Sequence, residues 1–142
     1  MTAAIAIAAL VIALTRPKFS VPFEHADTEA TATYTSAEIA AAHQQLCDTY
    51  GLVARAVQVD TSGADKALAR IADTNGAVML NIAAANPALD ASHRDAARAL
   101  ATAYATVTAK SNGTVASDAD YQAAIDDVIS KDSAMKRVCG AS

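Results

Sequence analysis

The stretch from Thr35 to Asp60, TSAEIAAAHQQLCDTYGLVARAVQVD, decides the fold class of this chain. Thr35 and Glu38 have the spacing of a capping box, in which the hydroxyl and the carboxylate satisfy free N–H groups at a helix start. Seam positions then recur at alternating intervals of four and three residues: Ile39, His43, Leu46, Tyr50, Val53 and Val57. This a/d spacing is typical of a helix that packs against other helices, and it predicts helix 1 over 36–59.

The same spacing recurs downstream and predicts three more helices, over 64–85, 91–110 and 118–139. The seam of helix 2 is Leu68, Ile71, Asn75, Val78 and Ile82, flanked by Ala72 and Met79. That of helix 3 is Ala96, Leu100, Ala103 and Val107, and that of helix 4 is Tyr121, Ile125, Val128, Asp132, Met135 and Cys139. Because short connections join helices of similar length, we predict an all-α, antiparallel four-helix bundle over 36–140.

Polar residues mark the ends of these helices. Asp90 and Ser117 are N-cap residues of helices 3 and 4, and Gly140 ends helix 4. The dipeptide Asn75-Gly76 favours a turn, but the apolar phase continues through it, so we predict one uninterrupted helix 2. Asn75 and Asp132 are polar seam positions, which we expect to fix the register.

The composition limits both the core and the function. The chain is rich in alanine, has no Trp and is only 4% aromatic. Alanine forms helices well but buries little area, so the helices must approach closely or be linked covalently. With 11 Lys and Arg against 15 Asp and Glu, the net charge is −4, which argues against nucleic acid as a partner.

The N-terminal run, residues 1–15, contains no charged side chain. As a helix it covers about 22 Å, less than the ~30 Å hydrocarbon core of a bilayer. Apolar residues nevertheless occupy every face, so we favour a transmembrane anchor over a signal segment or a buried core helix. The shortfall suggests that Met1 is not the natural start or that a basic upstream stretch is missing. Residues 16–35 then form an extended linker.

Two cysteines, Cys47 and Cys139, lie in helices that are neighbours in such a bundle. They are either joined as a disulfide or buried as two free thiols, and we favour the disulfide. The bond requires an oxidising compartment, which outweighs the cytoplasmic orientation that Arg16 and Lys18 suggest under the positive-inside rule. A bridge at the position of Cys47 along helix 1 leaves residues 36–46 beyond the end of helix 4. We expect these residues to be free to reach the membrane or a partner.

No arrangement of residues typical of catalysis stands out. We interpret His43 as a hydrogen-bonded seam residue and His93 as a solvated one. Glu24, His25 and Asp27 are interpreted as part of a solvated tether rather than as metal ligands. We therefore predict no catalytic, cofactor-binding or metal-binding residue, and no enzyme activity.

The stretch 41–104, with Cys47-Asp-Thr-Tyr50 in it, and the later KRVC at 136–139 carry a resemblance. They resemble a group of uncharacterised actinobacterial, chiefly mycobacterial, alanine-rich membrane proteins, over about 40–139. The resemblance implies a single N-terminal anchor and a helical domain outside the cytoplasmic membrane. It implies no activity.

These features together predict a membrane-anchored, extracytoplasmic (periplasmic) helical module that serves as an accessory or interaction subunit of a cell-envelope membrane complex. Its expected partners are membrane lipids, through residues 1–15, and other membrane protein subunits. The alternative is a helical bundle that binds a small apolar ligand or lipid between its helices.

Overall fold

The computed structural model describes residues 33–111 and 113–140. This part of the chain is all-α and forms a four-helix bundle, in which each helix packs on the next in sequence. The helices are α1 (Ser36–Thr61), α2 (Lys66–Ala83), α3 (Ala91–Lys110) and α4 (Asp118–Val138). The third helix has the predicted bounds, α1 and α4 differ from the prediction by one or two residues at one end, and α2 is shorter by two residues at each end.

Side-chain caps account for where the helices begin. The capping box of Thr35 and Glu38 forms as predicted, and Ser117 and Asp120 form a second one at α4. The carboxylate of Asp65 accepts from two N–H groups at the start of α2, which sets that start at Lys66 rather than at residue 64. Gly140 follows α4 with a φ of 65°, a left-handed conformation that glycine adopts without strain.

The core consists of small residues around a few large ones. Its largest fully buried side chains are Leu46, Leu80, Leu100, Met135 and Val53. Alanines fill the space between them, notably Ala97 and Ala101 on α3. The predicted seam is confirmed along the middle of α1 and along α3, where Leu100, Ala103 and Val107 are buried.

The predicted seam of α2 is wrong. Leu68, Ile71, Val78 and Ile82 are exposed, and the buried face carries Ala72, Gly76, Ala77 and Leu80. The small residues allow α2 to approach its neighbours closely. A Cβ at Gly76 would lie 2.8 Å from Cγ1 of Val53 on α1 and 3.4 Å from the Tyr104 ring on α3. This three-helix contact requires a residue without a side chain. The helix continues through Asn75-Gly76, as predicted.

The disulfide between Cys47 and Cys139 is present, with the two Cα atoms 5.5 Å apart, as predicted. It joins α1 to the end of α4 and indicates an extracytoplasmic domain. The prediction that residues 36–46 are free is wrong for the second half of this range, although most of residues 36–41 are exposed. Ala42 and Leu46 are buried in the same core as Leu89, so the start of α1 packs on the connection between α2 and α3.

The predicted anchor at 1–15 and nearly all of the predicted linker at 16–35 lie outside the described residues. Within 33–111 and 113–140, no helix has the length and hydropathy that a membrane span needs.

Candidate functional site

Two histidines and an aspartate meet where the start of α1 contacts the start of α3. Asp90 is the N-cap residue of α3, and His93 lies in the first turn of that helix. His43 comes from the second turn of α1. The packing of Ala42 and Leu89 in one core holds the two helices together at this point.

The two carboxylate oxygens of Asp90 have different partners. Oδ1 accepts from the Ser92 hydroxyl at 2.6 Å and from the His93 backbone N–H at 3.0 Å. Oδ2 lies 2.9 Å from Nε2 of His43 and 2.8 Å from Nδ1 of His93. The two imidazole rings are stacked, with centroids 4.0 Å apart and planes 11° apart. Oδ1 therefore accepts the hydrogen bonds of the helix cap, and Oδ2 faces two ring nitrogens.

Hydrogen bonds set the charge state of this cluster. The Ser92 hydroxyl, and then the His93 backbone N–H, hold the pKa of the Asp90 carboxyl well below its usual range. Asp90 is consequently a carboxylate at any physiological pH. Nε2 of His43 has no solvent exposure, and although Oδ2 is close, the direction between them does not suit a hydrogen bond.

The sequence pattern does not predict this cluster. It indicates a cap at Asp90, a seam residue at His43 and a solvated side chain at His93. The His93 side chain is in fact only 16% exposed, because the His43 ring covers it. A separation of 47 residues between His43 and Asp90 carries no motif, and only the packing of α1 on the 84–90 connection brings them together.

A second feature is an apolar stripe on the outward face of α2, called here the outer stripe: Leu68, Ile71, Asn75, Val78 and Ile82. Its four apolar members are 42, 56, 53 and 70% exposed. They make up half of the large hydrophobic residues that are exposed in the described part of the chain. Scattered apolar side chains are normal on a protein surface, whereas these four lie in a periodic row on one helix.

Open grooves flank the outer stripe. Ile82 borders one between α1 and α2, which is also lined by Gln45, Thr49 and Met79. Val78 borders another between α2 and α3, lined by Ala77, Ala105 and Thr108. A helix laid along the stripe would thus contact side chains of both neighbouring helices.

A third groove separates α1 from α4 beyond the disulfide and has a volume of about 520 Å³. Tyr104 of α3 lines it, with Val57 and Val128 beside it and Arg55 and Lys136 among its polar residues.

Comparison of the chain with protein-family models, with curated proteins and with solved structures finds no match in any of the three.

Proposed function

We propose that this protein is a non-enzymatic helical module of the cell envelope. In this proposal residues 1–15 anchor it in the cytoplasmic membrane, residues 16–35 are a tether, and the antiparallel bundle acts outside as an accessory or interaction subunit of a membrane complex. The disulfide supports the extracytoplasmic location. The single observation that carries the interaction role is the outer stripe of α2.

The stripe has the register of a coiled coil. Leu68, Asn75 and Ile82 take a positions and Ile71 and Val78 take d positions of one heptad phase. The opposite face of α2, with Leu80 and Ala77, is already buried in the bundle. A helix that is apolar on two faces needs a partner for each, and the described part of the chain provides a partner for only one.

We further propose that the occupant of the outer stripe is the same stripe of a second copy. A single Asn at an a position is a known device for setting register and oligomeric state in two-stranded coiled coils. In a parallel pair of α2 helices the two-fold axis runs along the helices, so the Asn75 amide faces its own symmetry mate.

The charge distribution also favours self-association. The flanking e and g positions are Ala67, Ala72, Thr74, Met79 and Asn81. None of them is ionisable, although 18% of the chain is charged. When two copies of one surface pair, like charges can come face to face, which is unfavourable. The flanking positions of the outer stripe carry no charge, so this repulsion does not arise.

The exposed area of the stripe comes close to what a dimer needs. The four exposed side chains offer roughly 400 Å² per copy, or about 800 Å² for the pair. A specific interface buries at least about 1,000 Å² in total, so the flanking residues and groove walls must contribute the remainder. We therefore expect a dimer of modest affinity, which tethering to one membrane would strengthen.

Sedimentation of the full chain in a mild detergent tests this proposal. We expect a dimer for the wild type and a monomer for Ile71→Asp with Val78→Asp, with helical circular dichroism unchanged. Ile129→Asp on α4 is the matched control, because Ile129 is 59% exposed but lies outside the stripe. The control should stay dimeric. A wild-type monomer at tens of micromolar, or dissociation by Ile129→Asp alone, would contradict the proposal.

Site-specific oxidation gives an independent measurement. Because the native cysteines are paired, Asn75→Cys adds one free thiol at the proposed axis. Mild oxidation should give a covalent dimer on non-reducing gels. Ala123→Cys, at an exposed site on α4, should form no covalent dimer and should run as a monomer on the same gels. Equal dimer yields from both variants would indicate random collision rather than a defined interface.

The groove between α1 and α4 supports a second candidate, the binding of a fatty acid. Its apolar residues Val57 and Val128 suit an acyl chain, and Arg55 suits a carboxylate, since Lys136 is already paired with Asp132. A fluorescent fatty acid should bind the full chain saturably, and Val57→Trp should displace it by filling the groove. Unchanged binding in Val57→Trp would exclude this groove.

A further inference from the structure

We propose that His43, Asp90 and His93 form a binding site for a divalent first-row transition ion, of which Zn²⁺ is the best fit. The ligand atoms are Nε2 of His43, Oδ2 of Asp90 and Nδ1 of His93. All three lie within 4.8 Å of one another. The inference is independent of the outer stripe and of the proposed dimer.

The kinds of ligand atom select the class of metal. Two imidazole nitrogens and one carboxylate oxygen suit zinc and its first-row neighbours. Calcium and magnesium prefer sites made of oxygen ligands. Three protein ligands leave the fourth position of a tetrahedral zinc ion for water or for a side chain of another molecule.

One buried ring nitrogen of the cluster has no hydrogen-bond partner. Nε2 of His43 is inaccessible to solvent and is not aligned for a hydrogen bond, although Oδ2 of Asp90 is 2.9 Å away. Burial of an unsatisfied polar atom is unfavourable. A metal ion placed between the nitrogen and the carboxylate would satisfy both, since each would direct a lone pair at the ion.

The hydrogen bonds that would orient the Asp90 carboxylate toward a metal ion are already formed. Ligating carboxylates are typically held by further hydrogen bonds, which fix their orientation. Here the Ser92 hydroxyl and the His93 backbone N–H both donate to Oδ1 of Asp90. This leaves Oδ2 oriented toward the two histidines, and its hydrogen bond with Nδ1 of His93 would be replaced by the bonds of both atoms to the ion.

Binding requires only a small expansion of the site. The distances of 2.8 and 2.9 Å from Oδ2 to the ring nitrogens compare with edges of about 3.3 Å in a tetrahedron with 2.0 Å bonds. Rotation of the imidazoles out of their parallel stack would lengthen these distances and point each nitrogen at the ion. The ion would then link α1 to the start of α3, one turn of α1 before Cys47.

Calorimetric titration of the chelator-treated full chain with Zn²⁺ tests the site. We expect one ion per chain, and about a tenfold or greater loss of affinity in His43→Gln and in His93→Gln. Asp90→Asn removes the anionic ligand but keeps a good N-cap residue, so it should weaken binding while the helix content is unchanged. His25→Gln is the control, because His25 is the remaining histidine of the chain; it should bind as the wild type does.

Cobalt gives a second readout that does not depend on stability. Co²⁺ in a site with two imidazoles should show visible absorption of a four- or five-coordinate ion, and this should disappear in His43→Gln. No saturable Zn²⁺ binding at about 100 µM, a loss of binding in His25→Gln, or full affinity in Asp90→Asn would each overturn the proposal.

Discussion

The Tyr50 hydroxyl donates a 2.7 Å hydrogen bond to Oδ1 of Asp132, which joins α1 to α4 across 82 residues of sequence. The other oxygen of Asp132 lies 2.8 Å from Nζ of Lys136, one turn further along α4. Burial, together with the bond to Asp132, raises the pKa of the Tyr50 phenol, so it stays a donor at physiological pH. This polar contact and the disulfide together hold α4 against α1.

Removal of the hydroxyl should destabilise the bundle. Tyr50→Phe keeps the buried ring but leaves Asp132 without its hydrogen-bond donor, so we expect a loss of about 1–2 kcal/mol in the free energy of unfolding. Urea denaturation measures it. Lys136→Ala is the control, since its ion pair is more than half exposed on the lysine side and should contribute less than about 0.5 kcal/mol. Equal losses would contradict this, because the exposed ion pair would then hold Asp132 as firmly as the phenol does.

Two helical glycines should respond in opposite directions to alanine. Gly76→Ala places a Cβ 2.8 Å from the stiff Val53 side chain, so we expect a loss of about 1–3 kcal/mol from overpacking. Gly51→Ala meets nothing within 4 Å and should gain about 0.5–1 kcal/mol from helix propensity. Thermal melting of the two variants beside the wild type makes the comparison. A gain in Gly76→Ala would show that α2 is not held close to α1 and α3.

The disulfide should contribute measurably to stability. Its loss frees a loop of 92 residues, for which we expect a cost of about 2–5 kcal/mol. The melting temperature should fall by several degrees or more, because 1 kcal/mol shifts it by about 4–8 °C in a domain of this size. A reductant should reproduce the effect in the wild type and have none in the double variant Cys47→Ser with Cys139→Ser. Two alkylatable thiols in unreduced native protein would contradict the bond itself.

Asp73 should make stability depend on pH. Burial raises the pKa of its carboxyl to about 6 in the folded protein, above the value of about 4 in an unfolded chain. The folded state therefore binds the Asp73 proton more tightly than the unfolded state does. The stability that this protonated carboxyl contributes is fully present below about pH 4 and is lost as the pH rises to about 6. Asp73→Asn should be more stable than the wild type at pH 7 by roughly 1 kcal/mol and should match it near pH 4.

Melting temperatures across pH 4–7 measure this difference. Asp126→Asn, at an exposed carboxylate on α4, is the control and should follow the wild-type curve. If Asp73→Asn also follows that curve, the carboxyl is not buried in solution.

Much of the architecture could be predicted from the sequence because local chemistry fixes it. Three N-cap residues bind the first turns of their own helices independently of tertiary packing: Thr35, Asp90 and Ser117. The starts of these helices follow from the caps. The disulfide was predictable because the bundle order brings α1 beside α4. These features depend on neighbouring residues or on topology alone.

The inward face of α2 was not predictable from periodicity. Heptad spacing shows which residues share a face, but it does not show which face is buried. On α2 the row through Leu68 and Ile71 is the more hydrophobic, yet the row through Ala72 and Gly76 faces the core. Close approach of the backbones favours the small residues, and this depends on Val53 and Tyr104 from other helices. The histidine cluster was missed for a similar reason, because it exists only once α1 has packed on the 84–90 connection.

The position of the disulfide has a consequence for how the protein is made. Cys139 is synthesised 92 residues after Cys47, so at about 5–20 residues per second the first thiol waits roughly 5–20 s for its partner. During that interval Cys47 is open to oxidation and to coupling with a foreign thiol. Helices α1 to α3 are complete before Cys139 emerges, and their contacts can form first. Packing of Leu46, the residue before Cys47, would then fix the position of the waiting sulfur, so the early core would prepare the bond that later closes the bundle.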